Sequence, residues 1–564
     1  MAPFSVILLV HTLAIATGAY SLWPMPRQLQ SGSTALMLSN HFNFELSGVL
    51  LHSVPPDLQQ AISRTSAQLK HDKLERLVVG GATADARQIV HAKTILTLTL
   101  SLHSTASKVL SISQCSVLPL EERDESYSLI VPADGSAGTL SANTTLGLFR
   151  GLTTFSQLWY WCESTAYTIE APFIIHDSPA YPYRGFMLDT ARNYFPIPDI
   201  LRTLDAMSYV KANAFHWHVV DSQSFPLVVE AFPELSAKGA YTQNEVYTPH
   251  DVKQIVSYAA ARGIDILVEI DTPGHTSAIS KSHPEYIACP EGTPWSTYAN
   301  EPPAGQLRLA TASVIEFTQN LIKSVLPSLP SKYFSTGGDE INTNCYSQDP
   351  ETQSELEKKG WTLDQALGNF VGKIHSTVAS LGKTPVVWED LVLSHNLTLA
   401  NNTIVMVWIS SQNAAAVVQK GYRIVHAPSD YFYLDCGHGD WVGESPQGNS
   451  WCDPFKTWQK AYTFDPQASI PDTQKHLVLG GQQLLWTEQS SPASLDSIAW
   501  PRAAVSSEVF WTGSILPSGN YTNVGEALQR LHALRYRFVQ RGINAITLQP
   551  HWCAVRPHAC DLTA

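Results

Sequence analysis

Eight apolar, strand-like runs follow one another in the last two thirds of the chain, and a segment long enough for a helix separates each from the next. The runs are 185–189, 214–221, 265–271, 333–340, 385–390, 404–408, 423–427 and 476–486. Eight such strand–helix units predict an α/β fold, a (β/α)₈ TIM barrel. Catalytic groups of these barrels lie at the carboxyl ends of the strands, where this chain places Asp189, Asp221, Glu269, Asp339, Glu340 and Glu389.

The segment before the barrel has a different pattern. Residues 20–180 alternate β-like runs at 94–100 and 127–131 with an amphipathic stretch at 146–159, which predicts a smaller α/β domain. Pro179 and Pro182 mark its end, because each proline fixes its own φ and disfavours helix at the residue before it. The catalytic domain, with a C-terminal extension, is predicted to cover residues 181–564.

The first 19 residues predict a secretory signal peptide. Their apolar run, residues 4–16, is too short to span a bilayer and leads into the small residues Thr17, Gly18 and Ala19. No later stretch is apolar enough to predict a membrane span, so we expect an extracellular protein with no membrane partner. Eight cysteines and four glycosylation sequons fit an oxidising secretory route, the sequons being Asn143, Asn396, Asn401 and Asn520.

Charge and aromatic content narrow the class of partner. A net charge of -13 and a pI near 5.8 argue against nucleic acid, because a phosphate backbone requires clustered Lys and Arg. The 15 tryptophans and 21 tyrosines favour carbohydrate, because amphipathic rings stack on sugar faces. The chain has no G-x-S-x-G motif and no Walker lysine motif, which argues against serine hydrolases and nucleotide-binding proteins.

The strongest candidate for chemistry is the pair Asp339-Glu340. It follows an apolar run and two glycines, Gly337 and Gly338, which let the backbone bend or approach a ligand closely. Two neighbouring carboxylates repel each other, so we expect one to have a raised pKa and the other to stay charged. Such a pair suits an acid and an anion working together. Taken alone, an Asp-Glu pair is more often the start of a helix.

Further motifs favour the catalytic interpretation. They are Arg184-Gly185 through Asp189 with Arg192 and Tyr194, His216-Trp217-His218-Val219-Val220-Asp221-Ser222-Gln223, Glu269-Ile270-Asp271-Thr272-Pro273-Gly274-His275, and Trp486-Thr487-Glu488. Together with Gly-Gly-Asp-Glu, these motifs resemble the family 20 glycoside hydrolases, the secreted β-N-acetylhexosaminidases of fungal type. The resemblance covers nearly the whole chain. It implies a zincin-like accessory domain, here expected to be metal-free because it lacks H-E-x-x-H, and no cofactor.

The resemblance implies a retaining mechanism in which the substrate attacks itself. The 2-acetamido oxygen replaces the protein nucleophile and forms an oxazolinium ion. Asp339 would orient the acetamide, and Glu340 would protonate the leaving oxygen and later take a proton from water. His275 and Asp221 would form a proton relay behind Glu340, and Tyr433 would hydrogen-bond the acetamide carbonyl.

The same resemblance assigns residues that hold the sugar. These are Trp388, Trp408 and Trp486 around the acetamide methyl, and Arg192, Asp435 and Glu488 at the outer hydroxyls. Glu269 is also assigned to sugar binding. Its alternative role is to anchor Arg192. His216 and His218 share one strand face, but no third metal ligand is apparent, so we expect packing or hydrogen bonding there rather than a metal site.

Cysteine spacing predicts local disulfides. Cys436–Cys452 and Cys553–Cys560 are close in sequence, and a Cys289–Cys345 bond would tie together two loops near the acidic pair. Cys115 and Cys162 could pair or stay free.

The predicted function is exo-acting removal of non-reducing terminal GlcNAc, with GalNAc as a second candidate sugar, from chitooligosaccharides and glycans. One alternative is a retaining β-glycosidase with two protein carboxylates, and another is a barrel that binds carbohydrate without cleaving it. The resemblance is compatible with a homodimer. Ser222, where animal members have a second aspartate, and the distinct stretch after Asp435 bear on leaving-group preference.

Overall fold

The computed structural model describes residues 21–103 and 109–563. The predicted signal peptide, residues 1–19, lies outside the described residues. Within them, no helix combines the length and the apolar character needed to cross a membrane.

The N-terminal part is a helix-covered mixed sheet. Its strands are β1 (Gln28–Leu46), β2 (Lys93–Leu102), β3 (Tyr127–Val131), β4 (Gly138–Ala142), β5 (Tyr160–Cys162) and β6 (Thr165–Asp177). They lie in the order β1-β2-β4-β3-β6-β5. Its helices are α1 (Pro56–His71), α2 (Ala86–Ile89), α3 (Ile112–Ser116) and α4 (Thr145–Gln157). Thr144 caps α4 by accepting from the backbone N–H of Gly147, and every residue of α4 is buried.

Eight parallel strands close into the predicted barrel. They are β7 (Tyr183–Asp189), β8 (Ala214–Val220), β9 (Asp265–Ile270), β12 (Tyr333–Ser335), β13 (Thr384–Trp388), β14 (Ile404–Val407), β15 (Arg423–His426) and β16 (Val478–Leu485). The last strand pairs with the first, and the (β/α)₈ prediction is confirmed. A two-stranded ribbon, β10 (Ile287–Ala288) with β11 (Gln306–Leu307), lies in the loop after β9.

Helices follow the barrel strands and cover them. They are α5 (Ile197–Tyr209), α6 (Pro233–Gly239), α7 (Pro249–Ala260), α8 (Trp295–Tyr298), α9 (Ala312–Val325), α10 (Thr343–Gln348), α11 (Pro350–Lys359), α12 (Leu363–Ser380), α13 (Asp390–Leu393), α14 (Ala414–Gln419), α15 (Ser429–Phe432), α16 (Trp458–Tyr462), α17 (Leu495–Ala499), α18 (Arg502–Thr512), α19 (Val524–Gln540) and α20 (His551–Ala554). Capping boxes at Thr248 and Thr362 define the starts of α7 and α12.

The barrel strands are buried on both faces, which is why they read as nearly continuous apolar runs. The exceptions inside the barrel are polar groups such as His216, His218 and Glu269, which are all fully buried. Buried polar groups require partners, and these make their bonds to one another near the carboxyl ends of the strands.

A buried ion cluster joins the two domains. Glu125 accepts from Arg150 at 2.7 Å and from Arg184, on β7, at 2.6 Å. Burial alone would raise the pKa of Glu125, but the charges of Arg184 and Arg150 outweigh burial and hold that pKa at about 2. The accessory domain is therefore docked on the barrel through charges that have no access to water.

We expect Glu125→Gln to lower the free energy of unfolding by roughly 3–5 kcal/mol, because it leaves two buried guanidinium groups without their counter-charge. Thermal and urea denaturation measure this. Glu121→Gln is the matched control, because Glu121 pairs with Arg423 at the surface, where it should contribute under about 1 kcal/mol.

The pKa of Glu125 also gives the sign of the pH dependence of stability. The folded pKa of Glu125 lies below its ordinary value of 4.5, so the stabilisation is present above pH 4.5 and is lost as the pH falls toward 2. In Glu125→Gln this loss of stability between pH 4.5 and 2 should disappear. If the stability of the variant fell with pH as it does in the wild type, the role assigned to Glu125 would be contradicted.

Three disulfides are formed, Cys289–Cys345, Cys436–Cys452 and Cys553–Cys560. The first joins the loop after β9 to α10, and the second closes the loop after Asp435. Cys115 and Cys162 are free thiols, the first buried and the second half-buried.

Candidate active site

A cavity of about 330 Å³ opens at the carboxyl ends of the barrel strands. Nine of the predicted site residues line it, namely Arg192, His275, Asp339, Glu340, Trp408, Tyr433, Asp435, Trp486 and Glu488. A larger cleft of about 830 Å³ lies between the accessory domain and the barrel, but none of these nine residues lines it. The chemistry therefore concentrates in the smaller, barrel-centred cavity.

The backbone turns sharply to present the acidic pair. Strand β12 ends at Ser335, and Gly337, Gly338 and Glu340 have φ angles of +64°, +97° and +51°. A Cβ on Gly337 would lie 1.9 Å from Oδ1 of Asp271, so only glycine fits there. A positive φ at a glutamate is unfavourable and is typical of functional sites.

The pair is not a helix cap. Helix α10 begins at Thr343, and Asn342 caps it by accepting from the backbone N–H of Cys345. Asp339 and Glu340 thus precede the helix and face the cavity. The structural alternative that the sequence left open for this pair is excluded.

Asp339 lies beside a second buried carboxylate, Asp271, which follows β9. Asp271 accepts from the backbone N–H of Gly338 at 2.7 Å, and one oxygen of each carboxyl group makes no hydrogen bond within the described residues. Burial and the charge of Asp271 raise the pKa of Asp339 well above its ordinary value, and burial raises the pKa of Asp271 to about 7. The two carboxyl groups therefore hold one proton between them near neutral pH.

Glu340 faces a histidine instead. Nε2 of His275 lies 3.4 Å from Oε2 of Glu340, and Nδ1 of the same ring lies 3.1 Å from Oδ1 of Asp221. Burial opposes a charge on His275, but the carboxylate of Asp221 outweighs burial and raises the pKa of the imidazole well above 6.5. Burial likewise opposes a charge on Glu340, but the neighbouring His275 lowers its pKa. The site therefore holds an imidazolium beside a carboxylate.

The pKa values of the acidic pair are split, as expected from the sequence, with that of Asp339 raised and that of Glu340 lowered. The cause is not repulsion within the pair, because each carboxyl group responds to a through-space neighbour from the loop after β9. Asp271 raises the pKa of Asp339, and His275 lowers that of Glu340. The proton that Glu340 needs as an acid therefore resides on His275.

Arg192 is surrounded by acids. Its guanidinium lies 3.2 Å from Asp189 and 3.1 Å from Asp221, and it also donates to Glu301. Glu488 is 3.7 Å away. The arginine also stacks over the ring of Trp486, with 4.9 Å between its Cζ and the ring centroid. These contacts fix the guanidinium at the cavity wall.

Aromatic rings form another wall. Trp408 and Trp486 line the cavity, and Trp408 donates its Nε1–H to Asp390 at 2.7 Å. Trp388 is buried behind them, with its ring centroid 6.2 Å from that of Trp486 and 5.7 Å from that of His216. Trp388 is not among the residues that line the cavity, so in this structure it supports the wall from behind.

The structure places Glu269 away from the sugar-binding position expected from the sequence. Among the described residues it neither lines the cavity nor pairs with Arg192, and it is fully buried in the barrel. It pairs with His216 at 3.1 Å and His218 at 2.5 Å, and it accepts from Ser335. The interior of the barrel satisfies this carboxylate, so it has no free oxygen for a sugar. The expectation of hydrogen bonding by the two histidines is confirmed.

Several cavity residues that come from loops were not predicted from the sequence, among them Glu301, Asn300 and Trp451. Glu301 and Asn300 belong to the loop after β9 that Cys289–Cys345 closes, and Trp451 to the loop closed by Cys436–Cys452. The ring of Trp451 lies 5.5 Å from that of Trp408, and it is 64% exposed. Their only sequence signal is that they lie in cysteine-closed segments following barrel strands.

Two sets of possible metal ligands lie at this site, Asp221 with His275 and Glu301, and Asp271 with His275 and Asp339. Arg192 already neutralises the first set, and both sets use His275, whose nitrogens face Asp221 and Glu340. The arrangement fits proton transfer better than cation binding.

The chain is similar to known proteins over most of its length. Residues 181–514 match the family model described as glycosyl hydrolase family 20, catalytic domain, and residues 22–158 match a model described as beta-acetyl hexosaminidase like.

Named relatives agree with these matches. A beta-hexosaminidase of Arthroderma benhamiae is 36% identical over 458 residues, which cover 78% of this chain and 74% of the relative. A chitooligosaccharidolytic beta-N-acetylglucosaminidase of Bombyx mori is 35% identical over 458 residues, covering 78% and 75% of the two chains. The X-ray structure of a Flavobacterium johnsoniae chitobiase superposes with a TM-score of 0.72 at 25% identity, covering 93% of this chain and 73% of that one.

Proposed function

This chain belongs to glycosyl hydrolase family 20, and on that premise we propose that the barrel cavity releases a terminal N-acetylhexosamine through Asp339 and Glu340. The protein is a glycoside hydrolase, a β-N-acetylhexosaminidase that removes terminal GlcNAc in an exo manner. The proposal concerns which residues perform the steps. The observation that carries it is the chain of contacts Asp221–His275–Glu340 beside the buried Asp339.

Asp339 orients the substrate's nucleophile. The acetamide oxygen attacks the anomeric carbon, and a positive oxazolinium ring forms while the glycosidic bond breaks. When the proton shared with Asp271 resides on Asp271, Asp339 is an anion and accepts a hydrogen bond from the acetamide N–H. Because Asp339 is buried, this carboxylate stabilises the developing charge more strongly than it would in solvent.

Glu340 is the general acid and base. The proton that it delivers to the leaving oxygen comes from Nε2 of His275, and Asp221 accepts from Nδ1–H of the neutral ring that remains. In the second half of the reaction Glu340 takes a proton from water, which then opens the oxazolinium ring.

Sugar recognition is assigned to the cavity walls. Trp408 and Trp486 pack on the acetamide and the pyranose face. Burial raises the pKa of the Tyr433 phenol, so Tyr433 stays neutral and donates a hydrogen bond to the acetamide oxygen. Arg192, Asp435 and Glu488 hold the outer hydroxyls. GalNAc, which differs only in the orientation of one such hydroxyl, is proposed as a second substrate.

The test compares two aryl glycosides with the same leaving group. An aryl N-acetyl-β-glucosaminide should be cleaved, and the matching aryl β-glucoside, which lacks the acetamide, should not be cleaved measurably. Equal rates would identify a retaining β-glycosidase with two protein carboxylates. Binding of both without cleavage would identify a sugar-binding barrel. A crystal with a thiazoline mimic of the cyclic intermediate should place the ring nitrogen against Asp339.

Secretion, glycosylation and a homodimer belong to the same proposal, as does the division into residues 1–19, 20–180 and 181–564. Three disulfides and the exposure of all four sequon asparagines support secretion of a glycoprotein. N-terminal sequencing, glycopeptide mass spectrometry and light scattering of the secreted protein test the cleavage site, the occupied sequons and the dimer.

A further inference from the structure

Behind the relay lies a histidine that no step above uses. His218, on β8, is buried, and its two ring nitrogens both face carboxylates. Nδ1 lies 2.5 Å from Oε1 of Glu269, and Nε2 lies 2.6 Å from Oδ2 of Asp221. Asp221 is the same carboxylate that accepts from His275 through its other oxygen. The contacts therefore run without a gap from Glu269 to Glu340.

This arrangement determines the charge of the ring. A neutral imidazole has one donor and one acceptor nitrogen, and an acceptor nitrogen cannot face a carboxylate oxygen at hydrogen-bond distance. His216, on the same strand face, provides the contrast. Its Nε2 faces Glu269 at 3.1 Å, but its Nδ1 receives an amide N–H from Gln482 at 3.0 Å, which suits a neutral ring. Of these two histidines, His218 alone must donate from both nitrogens.

The groups that face this pair come from several elements. Against His218 lie Glu269 from β9, Asp221 after β8 and the ring edge of Trp486 after β16, with centroids 4.9 Å apart. Against Asp221 lie Arg192 at 3.1 Å and His275 at 3.1 Å, and Glu301 is nearby. Asp221 is thus a single carboxylate held among three cationic groups.

We propose that His218, kept protonated by Glu269, is a positioning residue that weakens the hold of Asp221 on the proton of His275, so that this proton is available to Glu340. The inference rests on the role proposed above for Glu340. The proton moves from Nε2 of His275 to Glu340 and on to the leaving oxygen, and a proton from water returns by the same route. His218 neither gains nor loses a proton in the cycle.

Electrostatics gives the direction of the effect. A permanent positive charge on the far side of Asp221 lowers the proton affinity of the His275–Glu340 pair. The pKa values agree with this description, since the hydrogen bonds of both carboxylates outweigh burial and raise that of His218 to about 10. Without the charge on His218, His275 holds its proton more tightly and Glu340 becomes the weaker acid.

The first test is the pH profile of kcat/KM for an aryl N-acetylglucosaminide. In His218→Gln an amide N–H can still reach Asp221 but carries no charge. We expect the alkaline limb to move up by about 0.5–1 pH unit, with a larger loss of rate for poor leaving groups than for activated ones. A limb that stays in place or moves down would overturn the proposal, even if stability and rate fall.

Glu269→Gln gives a sharper test. It removes a negative charge, so a purely coulombic effect would move the limb down. Under the proposal His218 also loses its second proton, and therefore its positive charge. Because His218 lies closer to Asp221 than Glu269 does, the loss of this positive charge dominates. The alkaline limb should again move up, by less than in His218→Gln. A downward shift contradicts the proposal.

His216→Gln is the matched control. It disturbs the same buried carboxylate without touching Asp221, so we expect lower thermal stability and an unmoved alkaline limb. An equal shift in this variant would attribute the effect to general disturbance of the barrel.

Neutron diffraction on wild-type crystals tests the charge without any variant. Deuterium should occupy both nitrogens of His218 and only one of His216. A bare nitrogen on His218 would overturn the proposal. If the wild-type enzyme cleaves the N-acetylglucosaminide while the alkaline limb of His218→Gln stays in place, only the role proposed for His218 is wrong. If the wild-type enzyme cleaves nothing, the proposed function itself fails.

Discussion

Asp339→Asn is expected to lower kcat by about 10²–10³-fold, as removal of a preorganised electrostatic group at a transition state does. The loss should be similar for activated and poor leaving groups, because every substrate must bring its acetamide oxygen into line before the glycosidic bond breaks. An asparagine preserves the shape of the side chain but cannot carry the charge that stabilises the oxazolinium ring. Steady-state kinetics with a series of aryl N-acetylglucosaminides measure this.

The structure adds a second consequence. Burial raises the pKa of Asp271 to about 7, and Asp339→Asn leaves that burial in place, so Asp271 should still titrate near neutral pH. The variant removes the carboxyl group of Asp339, whose pKa is raised by burial and by the charge of Asp271, so only the titration of Asp339 should be missing from the pH profile.

Asp265→Asn is the matched control for this variant. Asp265 is also a buried carboxylate, but it begins β9 at the opposite end of the barrel, where it pairs with Arg123. Its replacement should lower stability and leave kcat within about two-fold, as expected for a change away from the reacting groups. A near-wild-type rate in Asp339→Asn would refute the role assigned to Asp339.

Glu340→Gln is expected to lower the rate of glycosidic bond cleavage by about 10²–10⁴-fold for poor leaving groups, the usual contribution of a positioned general acid. Leaving groups that depart without protonation should lose much less in that step. Pre-steady-state measurements separate this step from hydrolysis of the intermediate, which also needs Glu340 as a base. If all leaving groups lost equally in the first step, Glu340 would not be the acid.

The control for leaving-group dependence is Glu389→Gln. Glu389 is a buried carboxylate at the end of β13 whose pKa burial raises to about 7, but its partners are Asn413 and the backbone N–H of Ile409. It does not line the cavity. Its variant should keep the wild-type dependence on leaving group, because no proton passes through it to the substrate.

The fold follows from the sequence because strand burial has a local signature. Each of the eight runs identified in the sequence overlaps one strand of the barrel. The ends of the strands differ from the ends of the runs. The run 333–340 contains only a short strand, Tyr333–Ser335, because two glycines turn the backbone out of the sheet before the acidic pair. The general location of the site at the strand ends was predictable for the same local reason.

Loop contributions were not predictable. Glu301 and Trp451 reach the cavity from segments without regular periodicity, and only the path of the folded chain brings them beside Arg192 and Trp408. Glu269 shows the opposite case. Its position near the carboxyl end of β9 favours a binding role, yet two histidines from the neighbouring strand bind it inside the barrel.

By itself, the sequence determined the barrel, the identity of the acidic pair and the turn that presents it, because hydrophobic periodicity and glycine conformation act between neighbours along the chain. Only the tertiary structure decided where the protons reside. The charge on Asp339, Glu340 and His218 depends on Asp271, His275 and Glu269, which other strands bring within hydrogen-bond distance in a site of low dielectric. Electrostatic interaction depends on distance in space and on burial, and neither can be read along the chain.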